Sequence, residues 1–256
     1  MANCAVSVLL FKNDLKLDKE YKNILESASL QKGLYMKKLL DCPLFGPIIG
    51  MLFFVAFGLC AWYSYFCGTG TFMEDGHAGD IWTYLMYVFA LGSIIYCVKD
   101  FKGKYQDYIL FLFLMLCGVF REAGIQHILT TTDTTAFKYR FFTNPNNPLW
   151  EKCRAAFLLI TVLGAAGIVL FKYFPKIWHG FWNKTPMYWT ICALGAFGVI
   201  CKIADRIPSK YSSFEGHRMS DIAIYWYSIT EEGLEMCLPL LVMIAVFQYH
   251  FSKEKG

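Results

Sequence analysis

The chain divides into long apolar blocks separated by short charged or turn-forming stretches. Blocks at 44–67, 80–98, 107–126, 154–174, 186–204 and 222–251 are each bounded by charge, Gly or Pro. Each is close to the length of helix, about 20 residues, that crosses the hydrocarbon core of a bilayer. Strict alternation of apolar and polar positions, the mark of a half-buried strand, is missing from these blocks, and their length favours helix. The pattern therefore predicts an all-α polytopic membrane helix bundle of about six transmembrane helices. It organises the chain into an N-terminal segment, 1–43, a transmembrane domain, 44–251, and a short tail, 252–256.

Ahead of the first block, residues 14–31 place Leu17, Tyr21, Ile24 and Ala28 at helical spacing among Lys16, Lys19 and Lys22. That is the pattern of an amphipathic helix, lying either on anionic headgroups or against a soluble partner. The first 43 residues are lysine-rich and unlike the apolar core of a signal peptide. Composition agrees with the block pattern: 56% of the residues are hydrophobic and 18% aromatic, above the share ordinary in soluble domains.

Charge sets the expected orientation. Of the 24 Lys and Arg, fifteen fall on the side that holds the N-terminus and the loops near Lys99 to Lys104 and Lys172 to Lys184. The translocated side of a membrane protein is depleted in positive charge near its spans. Both termini are thus expected in the cytoplasm, in a plasma membrane or bacterial inner membrane. The net charge of +4 follows from this topology and calls for no nucleic-acid partner.

Ten cysteines contain no CxxC pair, and Cys60, Cys97, Cys117, Cys192 and Cys237 lie inside apolar blocks, where a thiol acts as a small hydrophobe. Cys67 and Cys153 fall at expected external ends, where a disulfide between them is one option. No internal repeat or inverted pair of broken helices marks a carrier. Gly164 to Gly167 in the fourth block and Ala193, Gly195, Ala196 and Gly198 in the fifth are small residues of the kind that lets membrane helices approach closely. Pro239 is expected to kink the sixth.

The polar residues gather at one end of the third, fifth and sixth blocks. Counting from Asp107, Glu122 and Arg121 lie roughly 22 Å up the third helix, and Asp205 and Arg206 roughly 28 Å up the fifth, at 1.5 Å per residue. Both levels are expected near the external face. The sixth block is interrupted by Glu231, Glu232 and Glu235, spaced to share one face. Carboxylates facing lipid are costly, so these three are expected to face the bundle interior or an aqueous pocket.

Two readings are open. The carboxylates can form interhelical ion pairs with Arg121, Arg206 and Lys202, or they can form a site. In the second reading Glu122, His127, Glu232 and Glu235 are the candidate catalytic groups. Arg121, Lys138, Arg140 and Arg206 are the candidate binders of an anionic headgroup.

Glu122, His127, Asp133 and His217 are candidate ligands for a divalent metal such as zinc, although the cofactor itself is left unassigned. Glu122 and His127 stand about 140° apart on an ideal helix, so any such site must draw on several segments. Ser228 and Glu232 share one spacing with membrane zinc hydrolases of the alkaline ceramidase and adiponectin receptor kind. The His-x3-His pair of those enzymes is missing, so no ligand carries over.

Three functions follow from these features. The first is an enzyme acting on a lipid or lipid-linked substrate, with membrane lipid as the partner. The second is a noncatalytic scaffold or assembly factor held by ion pairs, and the third is a proton-coupled transporter.

Overall fold

The computed structural model describes residues 36–67, 78–101, 104–123 and 139–253. Among these residues the chain is mostly helical, with short turns between the helices and no strand. The expected amphipathic helix at 14–31 lies outside the described residues, as does most of the first external loop.

Seven α-helices are described: α1 (Phe45–Phe66), α2 (Ala78–Tyr96), α3 (Tyr105–Glu122), α4 (Tyr139–Thr143), α5 (Leu149–Trp182), α6 (Pro186–Glu215) and α7 (Asp221–Lys253). A 3-10 turn, Cys97–Phe101, extends α2. Five stretches are long and apolar enough to cross a membrane: Phe45–Phe66, Ile81–Lys99, Leu149–Trp182, Pro186–Glu215 and Asp221–Ser252. The third expected span, α3, has 18 residues and carries Asp107 near one end and Arg121 and Glu122 at the other. It is therefore not among the five.

Apolar composition marks where a helix enters lipid but not where its hydrogen-bonded backbone stops. Three helices accordingly run past the predicted blocks. Pro186 occupies the first turn of α6, where its missing N–H costs nothing, and α6 continues through Pro208 to a left-handed Gly216 with φ 71°. Helix α5 is 34 residues long, about 51 Å at the usual rise.

The α5–α6 hairpin closes on Lys184, in the left-handed region at φ 56°. Its N–H bonds the Phe181 carbonyl at 3.1 Å, and the Thr185 N–H bonds the Gly180 carbonyl at 2.9 Å. This double bond pattern satisfies carbonyls that the end of a helix otherwise leaves open. The same residues form the Asn183-Lys184-Thr185 sequon.

Helix α7 is the axis of the bundle. It packs against α1, α2 and α6, and Leu234, Met236, Cys237, Leu240, Leu241 and Ile244 are buried along it. Facing it, Phe57 and Ala61 of α1 and Phe197 and Cys201 of α6 complete the apolar core. Polar contacts hold the axis at several heights. The Tyr225 hydroxyl donates to the Ala61 carbonyl at 2.8 Å, and the Cys237 thiol to the Gly50 carbonyl at 3.4 Å. Lower down, Thr190 donates to Gln248 Oε1 at 2.7 Å and Gln248 Nε2 to the Leu40 carbonyl at 3.2 Å.

Helix α5 lies outermost, on α3 and α6. Ala165 is buried, but a Cβ added at Gly164 or Gly167, or at Gly195 or Gly198 of α6, meets nothing within 4 Å. Cys67 and Cys153 are free, exposed thiols, so the optional disulfide is not formed.

These two kinds of glycine give a direct test. A methyl group at Gly46 would collide with the buried Thr190 side chain, which is itself hydrogen-bonded. Gly46→Ala is expected to lose about 1–3 kcal/mol in detergent unfolding through overpacking, whereas Gly195→Ala stays within about 0.5 kcal/mol of wild type or gains from helix propensity.

Candidate functional site

Four of the sequence-selected residues, Arg121, Glu122, Lys202 and Glu235, come together. Glu235 of α7 is buried, with its side chain 7% exposed. Its carboxylate accepts from the Arg121 guanidinium of α3 in a close ion pair and from Lys202 Nζ of α6 at 3.1 Å. Arg121 also lies 3.3 Å from the carboxylate of its neighbour Glu122. The Cys201 thiol points to the same place, 3.5 Å from Glu235 Oε1 and 3.7 Å from the Glu231 carbonyl. Tyr87 of α2 stands within electrostatic reach of Glu122, Arg121, Glu235 and Cys201. Four helices thus meet at a cluster of two cations and two carboxylates.

The local sequence explains the placement. Arg121 and Glu122 end α3, and the last turn of a helix presents unpaired carbonyls that favour a cation. Helix α3 packs on α2 and α5, and the long Arg121 side chain carries it to α7. On α7, Glu231 and Glu235 are one turn apart, and both reach Cys201 of α6, through the Glu231 carbonyl and the Glu235 carboxylate. Pro239 stands one further turn along, and α7 remains helical through it. Because proline has no N–H, the carbonyl it leaves without its helical donor is that of Glu235.

The cluster lies midway along three of the helices that carry it. Tyr87 is the midpoint of α2, while Cys201, Lys202 and Glu235 lie near the middles of α6 and α7. The end of α3 rises only that far: the Tyr84 hydroxyl donates to the Glu122 carbonyl at 2.8 Å, and Tyr87 packs against Gly118. Counting residues along one helix gives height above that helix's own start. The stagger between helices is set by packing, and α3 begins low, beyond the 3-10 turn that extends α2.

The other candidate residues are placed as follows. Glu232 is half-buried on α7. Arg206 is exposed on α6 and pairs with the adjacent Asp205 at 3.7 Å. His217 lies just past α6, with Nε2 3.3 Å from the Tyr211 hydroxyl and Nδ1 3.1 Å from the Glu215 carbonyl. Arg140 belongs to α4, with only its backbone described, while His127, Asp133 and Lys138 lie outside the described residues. Among the described residues, no three His, Cys, Asp or Glu side chains gather to hold a metal ion.

Sequence reasoning missed Tyr87 and Cys201, which look like ordinary aromatic and small apolar residues of their spans. It also missed Asp107, buried at the opposite end of α3. Asp107 forms a close ion pair with Lys172 of α5 and accepts from the Tyr173 hydroxyl at 2.7 Å. Its place at the start of an apolar block was the available signal. No protein-family model, no curated protein and no solved structure matches this chain.

Removing one partner of a buried pair strands the other charge, at a cost of about 3–5 kcal/mol. Because Arg121 and Lys202 are 42% and 54% exposed and stay partly solvated, Glu235→Gln is expected to destabilise the purified protein by less than this, about 1–3 kcal/mol. Glu235→Leu combined with Arg121→Met, Lys202→Met and Glu122→Gln should recover most of the loss in unfolding measurements, because all four charges of the cluster then leave together.

Proposed function

We propose that this multi-pass membrane protein works as a membrane scaffold or assembly factor, with both termini cytoplasmic and its central charges serving to fix the helices. The observation that carries the reading is the saturation of Glu235. Its buried carboxylate is shared by Arg121 and Lys202 from two other helices, with the Cys201 thiol beside it. A carboxylate so occupied is poorly suited to accept a proton from a substrate, and well suited to hold α3 and α6 against α7.

The outward faces fit the same reading. Gly164 and Gly195 are exposed, with space beside each for a close neighbour. In a bilayer, where lipid tails are as apolar as leucine, small residues of this kind favour contact with another helix.

A second reading, an enzyme acting on a lipid or lipid-linked substrate, draws on a different observation. The Arg121 and Lys202 side chains are 42% and 54% exposed although the carboxylate between them is buried. An anionic headgroup could approach them, with Glu122 as the nearby acid or base. In that reading Arg140, Lys138 and Arg206 belong to headgroup binding, and His127 or His217 to proton transfer or metal ligation.

Extraction from native membranes in mild detergent separates the two. The scaffold reading expects a partner protein in stoichiometric amount, lost in Gly164→Leu with Gly195→Leu while the melting temperature holds. Recovery of the chain alone, together with a membrane lipid that wild type converts and folded Glu122→Gln does not, would establish the enzyme instead.

A further inference from the structure

At the predicted cytoplasmic end of α5 a second set of charges lies away from the Glu235 cluster. Lys172 and Lys176 are one helical turn apart and so share a face. Their ammonium groups lie 5.8 Å and 5.2 Å from the centre of the Tyr173 ring. Lys104, at the start of α3, is exposed and within electrostatic reach of Asp107. Asp107, buried, is the carboxylate that Lys172 engages. Two ammonium groups, those of Lys172 and Lys104, thus share one carboxylate, and Lys176, also exposed, lies over the Tyr173 ring instead.

We propose that Lys104 and Lys176, with Lys172 behind them, form a binding site for the phosphodiester headgroup of an anionic phospholipid. The excess positive charge at the α3–α5 junction supplies the complementarity. The fixed ring of Tyr173, itself bonded to Asp107, keeps both α5 ammoniums from folding away.

A lipid fits better than a free anion because of what shares this end of α5. Phe174, Trp178 and Trp182 form a ladder of rings with centroids 6.3 Å and 5.9 Å apart, and all three are more than half exposed. Exposed tryptophans at the end of an apolar helix mark the headgroup layer. Basic pockets between helices at that depth bind acidic headgroups.

The test is native mass spectrometry of delipidated protein offered equal amounts of phosphatidylglycerol and phosphatidylcholine. Wild type is expected to retain phosphatidylglycerol preferentially. Lys176→Gln should weaken that retention about fivefold, and Lys104→Gln with Lys176→Gln about 25-fold, from the contribution of each lysine near an anionic headgroup. Lys176→Arg should preserve it.

Lys172 is left in place because its loss would strand Asp107, and an unchanged melting temperature shows that the variants are folded. Equal retention of the two lipids by wild type would overturn the proposal, as would wild-type retention by the folded double variant. Displacement of the lipid by excess inorganic phosphate would overturn it too, by making the site one for free phosphate.

Discussion

A carboxylate in the middle of an apolar bundle must be matched by positive charge, and this constraint organises the centre of the molecule. Taking an ion out of water costs several kcal/mol even after the protein relaxes around it. Glu235 meets that cost with Arg121 and Lys202, and the match requires three helices to arrive at one height. Helix α6 is adjacent to α7 and needs only a lysine stem. Helix α3 packs elsewhere and spans the distance with the longest cationic side chain available. Tyr87 and the Cys201 thiol occupy the polar remainder. The same logic recurs near the other end of α3, where Asp107 meets Lys172 and Tyr173. A short helix with charge at both ends is thereby tied to α7 by one terminus and to α5 by the other.

Much of the architecture was legible because lipid imposes a simple code. Apolar runs near 20 residues placed α1 and α2 within a few residues and fixed the starts of α6 and α7. The ends of α5 and α6 were not legible in that code: a helix leaving the membrane has no reason to stop, and 205–215 continues with polar residues until Gly216. In the same way the convergence of Arg121, Lys202 and Glu235 could be anticipated from the cost of unpaired charge. Where along the helices they meet could not, since the offset between α2 and α3 is set where Tyr84 reaches the Glu122 carbonyl and Tyr87 lies against Gly118. Tyr87 and Cys201 carried no signal, because their residue types are common in any membrane span.

The helices also differ in what they ask of their surroundings. Helix α7 buries residues on most of its circumference and finds its partners within the chain. Helix α5, by contrast, shows Phe157, Ile160, Leu163, Ile168 and Phe171 to the outside, together with Gly164 and Gly167, beside which there is open space. A helix so exposed is stabilised by lipid or by another membrane helix rather than by this chain's own core. The division between a charged centre and an apolar, open flank leaves α5 the least buried of the five helices long and apolar enough to cross a membrane.

The balance of charge in the centre has an electrical consequence. Arg121 and Lys202 carry two positive charges, Glu122 and Glu235 two negative ones, all at about the same depth. Moving one elementary charge across a membrane held at 100 mV involves about 2.3 kcal/mol, but a field acting on equal and opposite charges at one depth does almost no net work. These four groups taken together therefore carry no net charge, and a polarised membrane does almost no net work on their common displacement. A substitution that deletes one of them leaves a net charge in the group, and any displacement of that charge along the field then carries electrical work.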